Sequence, residues 1–287
     1  MQPIPEWGSK TYIMGIMNIT PDSFSGDGVL SDSGSIDAAL LQSKQMLEDG
    51  ADILDVGAES SRPGSTPISS EEELKRLVPF LSELLKQKFH AIISIDTYKS
   101  KVAETCLGLG ADWINDIWGL RADKELANVV AERGATIILM HNRIRSDKVL
   151  DYGNLGKSYS GAKYEDLISD LKKDLEASIH VALESGISED KIILDPGLGF
   201  GKTVNQNLTI INRLDEIKAL GFPVLVGPSR KSFIGKVLGL PVNQREEGTY
   251  AASTLCIAKG ADIIRVHDVR GNARVSAMAD AIIRENA

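Results

Sequence analysis

Gly50-Ala51-Asp52-Ile53-Leu54-Asp55-Val56 sets the pattern of this chain, because its opening Gly-Ala step, leading into an apolar run, returns three times. Gly110-Ala111-Asp112 leads into Trp113-Ile114-Asn115, Gly134-Ala135-Thr136 into Ile137-Ile138-Leu139-Met140, and Gly260-Ala261-Asp262 into Ile263-Ile264-Arg265-Val266. Each copy closes a stretch with helical spacing. Glycine there supplies the left-handed residue that ends a helix, and the apolar, β-branched run that follows has the character of a buried parallel strand. Gly186 before Ile192-Ile193-Leu194 and Gly221 before Val224-Leu225-Val226 repeat the transition, and Tyr12–Met17 and Ala91–Ile95 are two further apolar runs.

Working outward, eight strands are expected near 12–18, 53–57, 91–96, 113–116, 136–140, 192–195, 224–227 and 263–266. Helices are expected over 36–49, 71–88, 99–109, 124–133, 164–185, 205–220, 247–259 and 271–286. Leu74, Leu77, Val78, Leu81, Leu84 and Leu85 recur at three- and four-residue spacing, as one buried helical face requires. Ser70 and Glu73 have the spacing of a capping box. Strict alternation implies parallel strands joined by right-handed crossovers. Eight such units fit a single α/β domain over 1–287, a (β/α)8 TIM barrel with long loops after strands 1 and 2. An open doubly wound sheet is the competing arrangement. The two loops, 19–35 and 58–69, are rich in Gly, Ser, Pro and Asp, and a third long segment, 142–162, precedes a helix.

The 287 residues hold 32 Lys+Arg against 40 Asp+Glu, a net charge of −8. An acidic chain is a poor binder of nucleic acid or anionic membranes, which want a basic face. No apolar run reaches membrane-spanning length. The N-terminal Met-Gln-Pro-Ile-Pro-Glu-Trp lacks the features of a secretory signal. The two cysteines, Cys106 and Cys256, have no ligand spacing, so two buried structural thiols and a cytoplasmic location are expected.

In a barrel of this kind chemistry gathers at the carboxyl ends of the strands. Those ends carry Asn18, Glu59, Asp96, Asn115 with Asp116, His141, Asp195, the run Ser229-Arg230-Lys231-Ser232, and Arg265 with His267. The bland alternatives are a helix cap for Asp96 and a turn before Pro196 for Asp195. Together, Asp96, Asn115 and Asp195 suit a flat heterocycle with an amino-amidine edge, since a carboxylate accepts two parallel N–H bonds from such an edge. Arg62, Arg230, Lys231, Arg265 and His267 are expected at the same rim. Arg265 lies within an apolar run and so needs an anion; convergent cations in an acidic protein point to a phosphate or diphosphate.

Two other motifs fail on inspection. Gly197-Leu198-Gly199-Phe200-Gly201-Lys202-Thr203 resembles a nucleotide-binding loop, but Pro196 stands where the first glycine is required. No Gly-x-Gly-x-x-Gly follows the first strand. The four histidines have no zinc spacing. A hard ion held by oxygens and substrate phosphates, as Mg²⁺ is held, stays open.

Met17-Asn18-Ile19-Thr20-Pro21-Asp22-Ser23-Phe24-Ser25, Glu59-Ser60-Ser61-Arg62-Pro63-Gly64, Asp195-Pro196-Gly197-Leu198-Gly199-Phe200-Gly201-Lys202 and Gly227-Pro228-Ser229-Arg230-Lys231-Ser232-Phe233 resemble, in order, the signatures of dihydropteroate synthases. The likeness covers roughly 11–280. It implies an enzyme that joins 4-aminobenzoate to (7,8-dihydropterin-6-yl)methyl diphosphate with Mg²⁺, in a barrel usually found as a homodimer and targeted by sulfonamides. By resemblance, Asp96, Asn115, Asp195 and Lys231 hold the pterin, and Asp96, Lys231 and Asp195 are the catalytic set. Asn18 ligands Mg²⁺, and Asn18, Ser61, Arg265, Val266 and His267 hold the diphosphate. Phe24, Arg62, Pro63, Phe200 and Ser232 build the aminobenzoate pocket. Two departures show: Ser61 stands where threonine is usual, and Asn142 where methionine is usual. Two other readings stay open: a pterin-binding barrel of another activity, such as a methyltetrahydrofolate-dependent methyltransferase, and a binding scaffold without catalysis.

Overall fold

The computed structural model describes residues 5–19, 33–60, 65–144, 149–151, 157–159 and 162–284. In chain order the elements are β1 (Tyr12–Asn18), α1 (Ser33–Glu48), β2 (Ile53–Gly57), α2 (Ser70–Lys86), β3 (Ile92–Asp96), α3 (Ser100–Leu109), β4 (Trp113–Asp116), α4 (Leu126–Arg133) and β5 (Thr136–Met140). They continue with β6 (Val149–Asp151), β7 (Lys157–Tyr159), α5 (Leu167–Glu184), β8 (Ile192–Asp195), α6 (Val204–Asn212), α7 (Leu214–Lys218), β9 (Leu225–Val226), α8 (Ser232–Leu238), α9 (Glu246–Ala258), β10 (Ile263–Val266) and α10 (Val269–Ile283).

Eight strands form one parallel sheet in the order β8-β5-β4-β3-β2-β1-β10-β9. A bridge between Leu194 and Val224 joins its two outer strands, so the sheet curls into a barrel and the open alternative is excluded. The glycines of the repeat do what the sequence asks of them: Gly50, Gly110, Gly134 and Gly260 have φ of 105°, 119°, 60° and 95°, where a Cβ is strained.

Strand side chains alternate between two faces, and the barrel separates them into two cores. Met14, Ile53, Ile92, Trp113, Ile138, Ile193, Leu225 and Ile263, one from each strand, fill the barrel interior and pack against Trp7 and Tyr12. The opposite phase, with Leu54, Ile95, Ile114, Leu139, Leu194 and Val266 among it, packs against the helices, where Phe80 and Leu81 of α2 are fully buried.

Four details differ from the sequence reading. The 205–220 segment divides into α6 and α7 at Arg213. Helix α8 follows Lys231 directly and was not expected. The 142–162 segment contains an antiparallel pair, β6 with β7. The cap of α2 is Ser69, which accepts from the Glu72 backbone N–H, rather than Ser70 with Glu73. A complete capping box occurs instead at Thr203 and Gln206. Cys106 and Cys256 are free and buried, and burial pushes both thiols up to about 12.

Candidate active site

Two residues beyond each member of the apolar interior layer lies a second inward layer: Ile16, Asp55, Ser94, Asn115, Met140, Asp195, Gly227 and Arg265. Asn18, Gly57, Asp96 and His267 lie two residues further on. The polar residues at the strand ends are therefore the upper part of the same inward-facing columns that fill the barrel below. Register brings them level, with Asp96 opposite Asn115 and Asp55 opposite Ser94.

Arg265 holds this mouth together. Its Nε donates to Asp55 Oδ2 at 2.6 Å and its Nη2 to Asp96 Oδ2 at 2.7 Å. The anion that its apolar surroundings demand is thus supplied by the protein itself, which corrects the argument that Arg265 calls for a substrate anion. Burial works against its charge, but the two carboxylates outweigh burial and raise its pKa. Burial pushes Asp96 up to about 7, against the pull of Arg265. Asp195 is raised by burial, opposed by the Gly197 N–H and Lys231. Burial, with Arg265 nearby, brings Lys231 down to about 8, while Asp195 and Asp96 act in the other direction. Asp96, Asp195, Lys231 and Arg265 therefore share one low-dielectric mouth, as expected for a site that handles charge.

The alternatives for the two acids separate. Asp96 is no helix cap, since Lys99 stands at that position and caps with no side-chain bond. Asp195 does form the turn before Pro196, with Oδ1 accepting from the Gly197 N–H at 2.7 Å, and keeps Oδ2 for other partners. Lys231 Nζ lies 4.2 Å from the Phe200 ring centroid, so the aromatic wall and the ammonium are one unit. Ser232 opens α8 beside them. His267 Nδ1 pairs with Ser229 Oγ at 3.0 Å.

Other rim residues are placed differently. Arg230 turns its guanidinium to Glu246 at 2.9 Å. Val266 has its side chain in the core between barrel and helices, so only its backbone can serve a ligand. Asp116 accepts from the backbone N–H groups of Trp118 and Leu120 and shapes a turn. Asn142 stitches two loops, donating to the Ile117 carbonyl and accepting from Ile144 N–H. Phe24, Ser61, Arg62 and Pro63 lie outside the described residues.

Three ionic groups, two buried and one half-buried, escaped the sequence reading. Asp55 is one. The second is Lys202, whose ammonium donates to the carbonyls of Gly197 (2.9 Å) and Phe200 (3.2 Å) and to His141 Nδ1 (3.1 Å). His141 therefore carries its proton on Nε2 and donates it to Asp174 Oδ2 at 3.0 Å. This nail fixes the loop after β8, where a Cβ on Gly197 would collide with the His141 carbonyl oxygen. Burial lowers Lys202 to about 7. The third is Lys99, shared by Glu59 and Glu73 at 2.5 Å each. Glu59 also accepts from Tyr98 OH and from the Ile68 N–H, tying both ends of the 58–69 loop. Their signal was present as charges inside otherwise apolar patterns, Asp55 in Ile53–Gly57 and Glu73 on the buried face of α2.

Residues 14–267 match the family of pterin binding enzymes. The chain is 47% identical over 278 residues to the dihydropteroate synthase of Clostridium beijerinckii, covering 96% of each. It is 45% identical to that of Bacillus subtilis, covering 96% of this chain and 90% of the relative. A crystal structure of the Clostridium difficile dihydropteroate synthase, obtained in the presence of pteroic acid, superposes with a TM-score of 0.88 at 45% identity over 98% of this chain and 99% of that one. The Xanthomonas albilineans dihydropteroate synthase with 4-aminobenzoic acid gives 0.84 at 34% identity, covering 95% and 93%. Long, ordered motifs, a polar barrel mouth and near-complete coverage agree: this chain belongs to the dihydropteroate synthase family of pterin binding enzymes.

Proposed function

We infer that this chain is a dihydropteroate synthase, a transferase of folate biosynthesis that condenses 4-aminobenzoate with (7,8-dihydropterin-6-yl)methyl diphosphate and releases diphosphate. The observation that supports the assignment of roles is the single mouth in which Asp96, Asn115, Asp195, Lys231 and Arg265 converge. Asp195 and Asn115 accept N–H groups of the pterin edge, and Lys231 donates to its carbonyl. Arg265 and His267, with Asn18, Ser61 and the Val266 backbone, receive the diphosphate.

Displacement at the pterin methylene proceeds by an SN1-like path. The C–O bond to the diphosphate breaks first, with its electron pair leaving on oxygen. Preorganised cations stabilise that growing charge, and the Asp96 carboxylate offsets the cation delocalised into the pterin. The lone pair of the aromatic amine then forms the C–N bond to the methylene, and the resulting ammonium gives its proton to water or to the released diphosphate. Phe200 and Ser232, with Phe24, Arg62 and Pro63, hold the aminobenzoate, and the loops after strands 1 and 2 exclude competing water.

The donor set fits Mg²⁺. Mg²⁺ keeps several waters and is carried largely by substrate phosphates, so it takes few oxygen ligands from the protein. Asn18 offers a neutral amide oxygen at the mouth. The ion, when bound, supplies charge neutralisation to the leaving diphosphate.

The protein works as a homodimer in this proposal. Leu208, Val237, Leu238 and Leu255 from α6, α8 and α9 are exposed and surround a cavity of about 280 Å³, an apolar face of the kind that subunits cover. No helix among the described residues is long and apolar enough to cross a membrane; cytoplasmic location is proposed with the function.

One assay tests the function. Protein, the pterin diphosphate, 4-aminobenzoate and Mg²⁺ are mixed and diphosphate is measured. Release that needs both organic substrates and falls on chelation is expected; absence of release from folded protein overturns the assignment.

A further inference from the structure

Asp55 is 0% exposed at the centre of the barrel. Among the described residues its hydrogen bonds come from inward-facing neighbours: Ser94 Oγ to Oδ1 at 2.6 Å, Asn115 Nδ2 to Oδ2 at 3.0 Å, and Arg265 Nε to Oδ2 at 2.6 Å. Its pairing with Arg265 answers that cation's need for an anion; the bonds from Ser94 and Asn115 are a second use of the same carboxylate.

The Asn115 amide has an oxygen side and a nitrogen side, and rotation about its terminal bond exchanges them. An ionised carboxylate only accepts. Asp55 therefore holds the NH₂ group against itself and turns Oδ1 away. Asn115 is 3% exposed, and Oδ1 has no hydrogen-bond partner among the described residues. Oδ1 is not among the fully buried atoms left without a partner; it keeps access to the mouth, where a donor on a ligand can reach it.

We propose that Asp55 is a positioning residue that locks Asn115 as a hydrogen-bond acceptor toward the bound ring, so that the subsite selects heterocycles presenting an N–H at that point. This rests on the assignment of Asn115 to the pterin subsite. The same carboxylate fixes the Arg265 side chain, so one buried group orients two groups of the mouth.

Three variants test it: Asp55→Asn, Asn115→Asp and the double swap. Asp55→Asn removes the lock, and the KM for the pterin diphosphate rises by about tenfold or more, the scale of one hydrogen bond. The KM for 4-aminobenzoate stays within about threefold. Asn115→Asp sets two carboxylates against each other and binds pterin more weakly still. In the double variant an Asn at 55 donates to an Asp at 115, whose other oxygen still faces the ring. Pterin affinity then recovers by about tenfold over Asn115→Asp. Calorimetric titration with 6-hydroxymethyl-7,8-dihydropterin reads the same order of affinities without turnover, so an inactive wild type would overturn the enzymatic assignment and leave this test intact. Unchanged pterin affinity in Asp55→Asn, parallel changes in both KM values, or a folded double variant without recovery overturns the proposal. If Asp55→Asn does not fold, the double variant carries the comparison with Asn115→Asp.

Discussion

Arg265 Nη2 lies 2.7 Å from Asp96 Oδ2, so the residue expected to offset the pterin cation is held in place by the residue expected to receive the leaving group. Asp96→Asn keeps the shape and removes the charge. Turnover should fall at least about a hundredfold, as for other losses of a preorganised charge, with circular dichroism and thermal midpoint near wild type. Wild-type diphosphate release in this variant would refute the role.

Asp96 also sets an expectation for pH. Burial raises it to about 7, so kcat/KM should decline as pH drops below about 7 and the carboxylate takes up its proton. The stability term has the opposite sense. A raised acid binds its proton more tightly in the folded state, so its contribution favours folding at low pH and is lost as pH rises from the ordinary 3.8 through about 7. Rate profiles and urea titrations across pH 5–8 read the two effects separately.

Lys202 gives a second titration, at the loop after β8. Its folded value, about 7, lies below the ordinary 10.5, so the unfolded chain binds more protons between those limits. Relative to Lys202→Met, wild-type stability should rise with pH from about 7 to 10, by at most about 1.4 kcal/mol per pH unit, the limit for one proton. A pH-independent difference between the two proteins in urea unfolding would show that the lysine is not the titrating group. The variant should also raise both KM values, because the loop it nails down carries Phe200.

Lys99 predicts a plain loss of stability. Lys99→Met leaves Glu73, 1% exposed and already raised by burial against the pull of Lys99, beside Glu59 with no cation between them. Removing one member of a buried pair costs about 3–5 kcal/mol. Lys99→Met/Glu73→Leu should regain much of it. A thermal midpoint unchanged in the single variant would contradict the burial argument.

The proposed dimer rests on apolar exposure, and Leu255, 58% exposed on α9, tests it. Leu255→Asp should convert a sedimenting dimer to monomer with unaltered secondary structure. A wild-type protein that sediments as a monomer at micromolar concentration would end that reading.

The fold was legible because its periodicities are clean. Six strands, among them Tyr12–Asn18 and Ile263–Val266, lie where the apolar runs put them, since residues buried on both faces leave no room for another register. Helix α8 and the division at Arg213 were hidden, because seven- and five-residue helices carry too few turns to show a face. At the site, Asp96, Asn115, Asp195 and Arg265 were visible as polar ends of apolar strands. Asp55 was not: it sits mid-strand, and only the closed barrel shows that Ile53, Asp55 and Gly57 all point inward. Arg230 turned out otherwise for the complementary reason, its guanidinium pairing with Glu246, since nearness to a strand end says nothing about which way a side chain turns.

The sealed, unreactive state of Cys106 and Cys256 has a practical side. Sulfhydryl reagents that require thiolate find none at neutral pH. A single cysteine introduced on an exposed helix position, such as Met278 on α10, could therefore carry a maleimide fluorophore without first stripping the natural pair, giving an optical reporter on an otherwise native polypeptide.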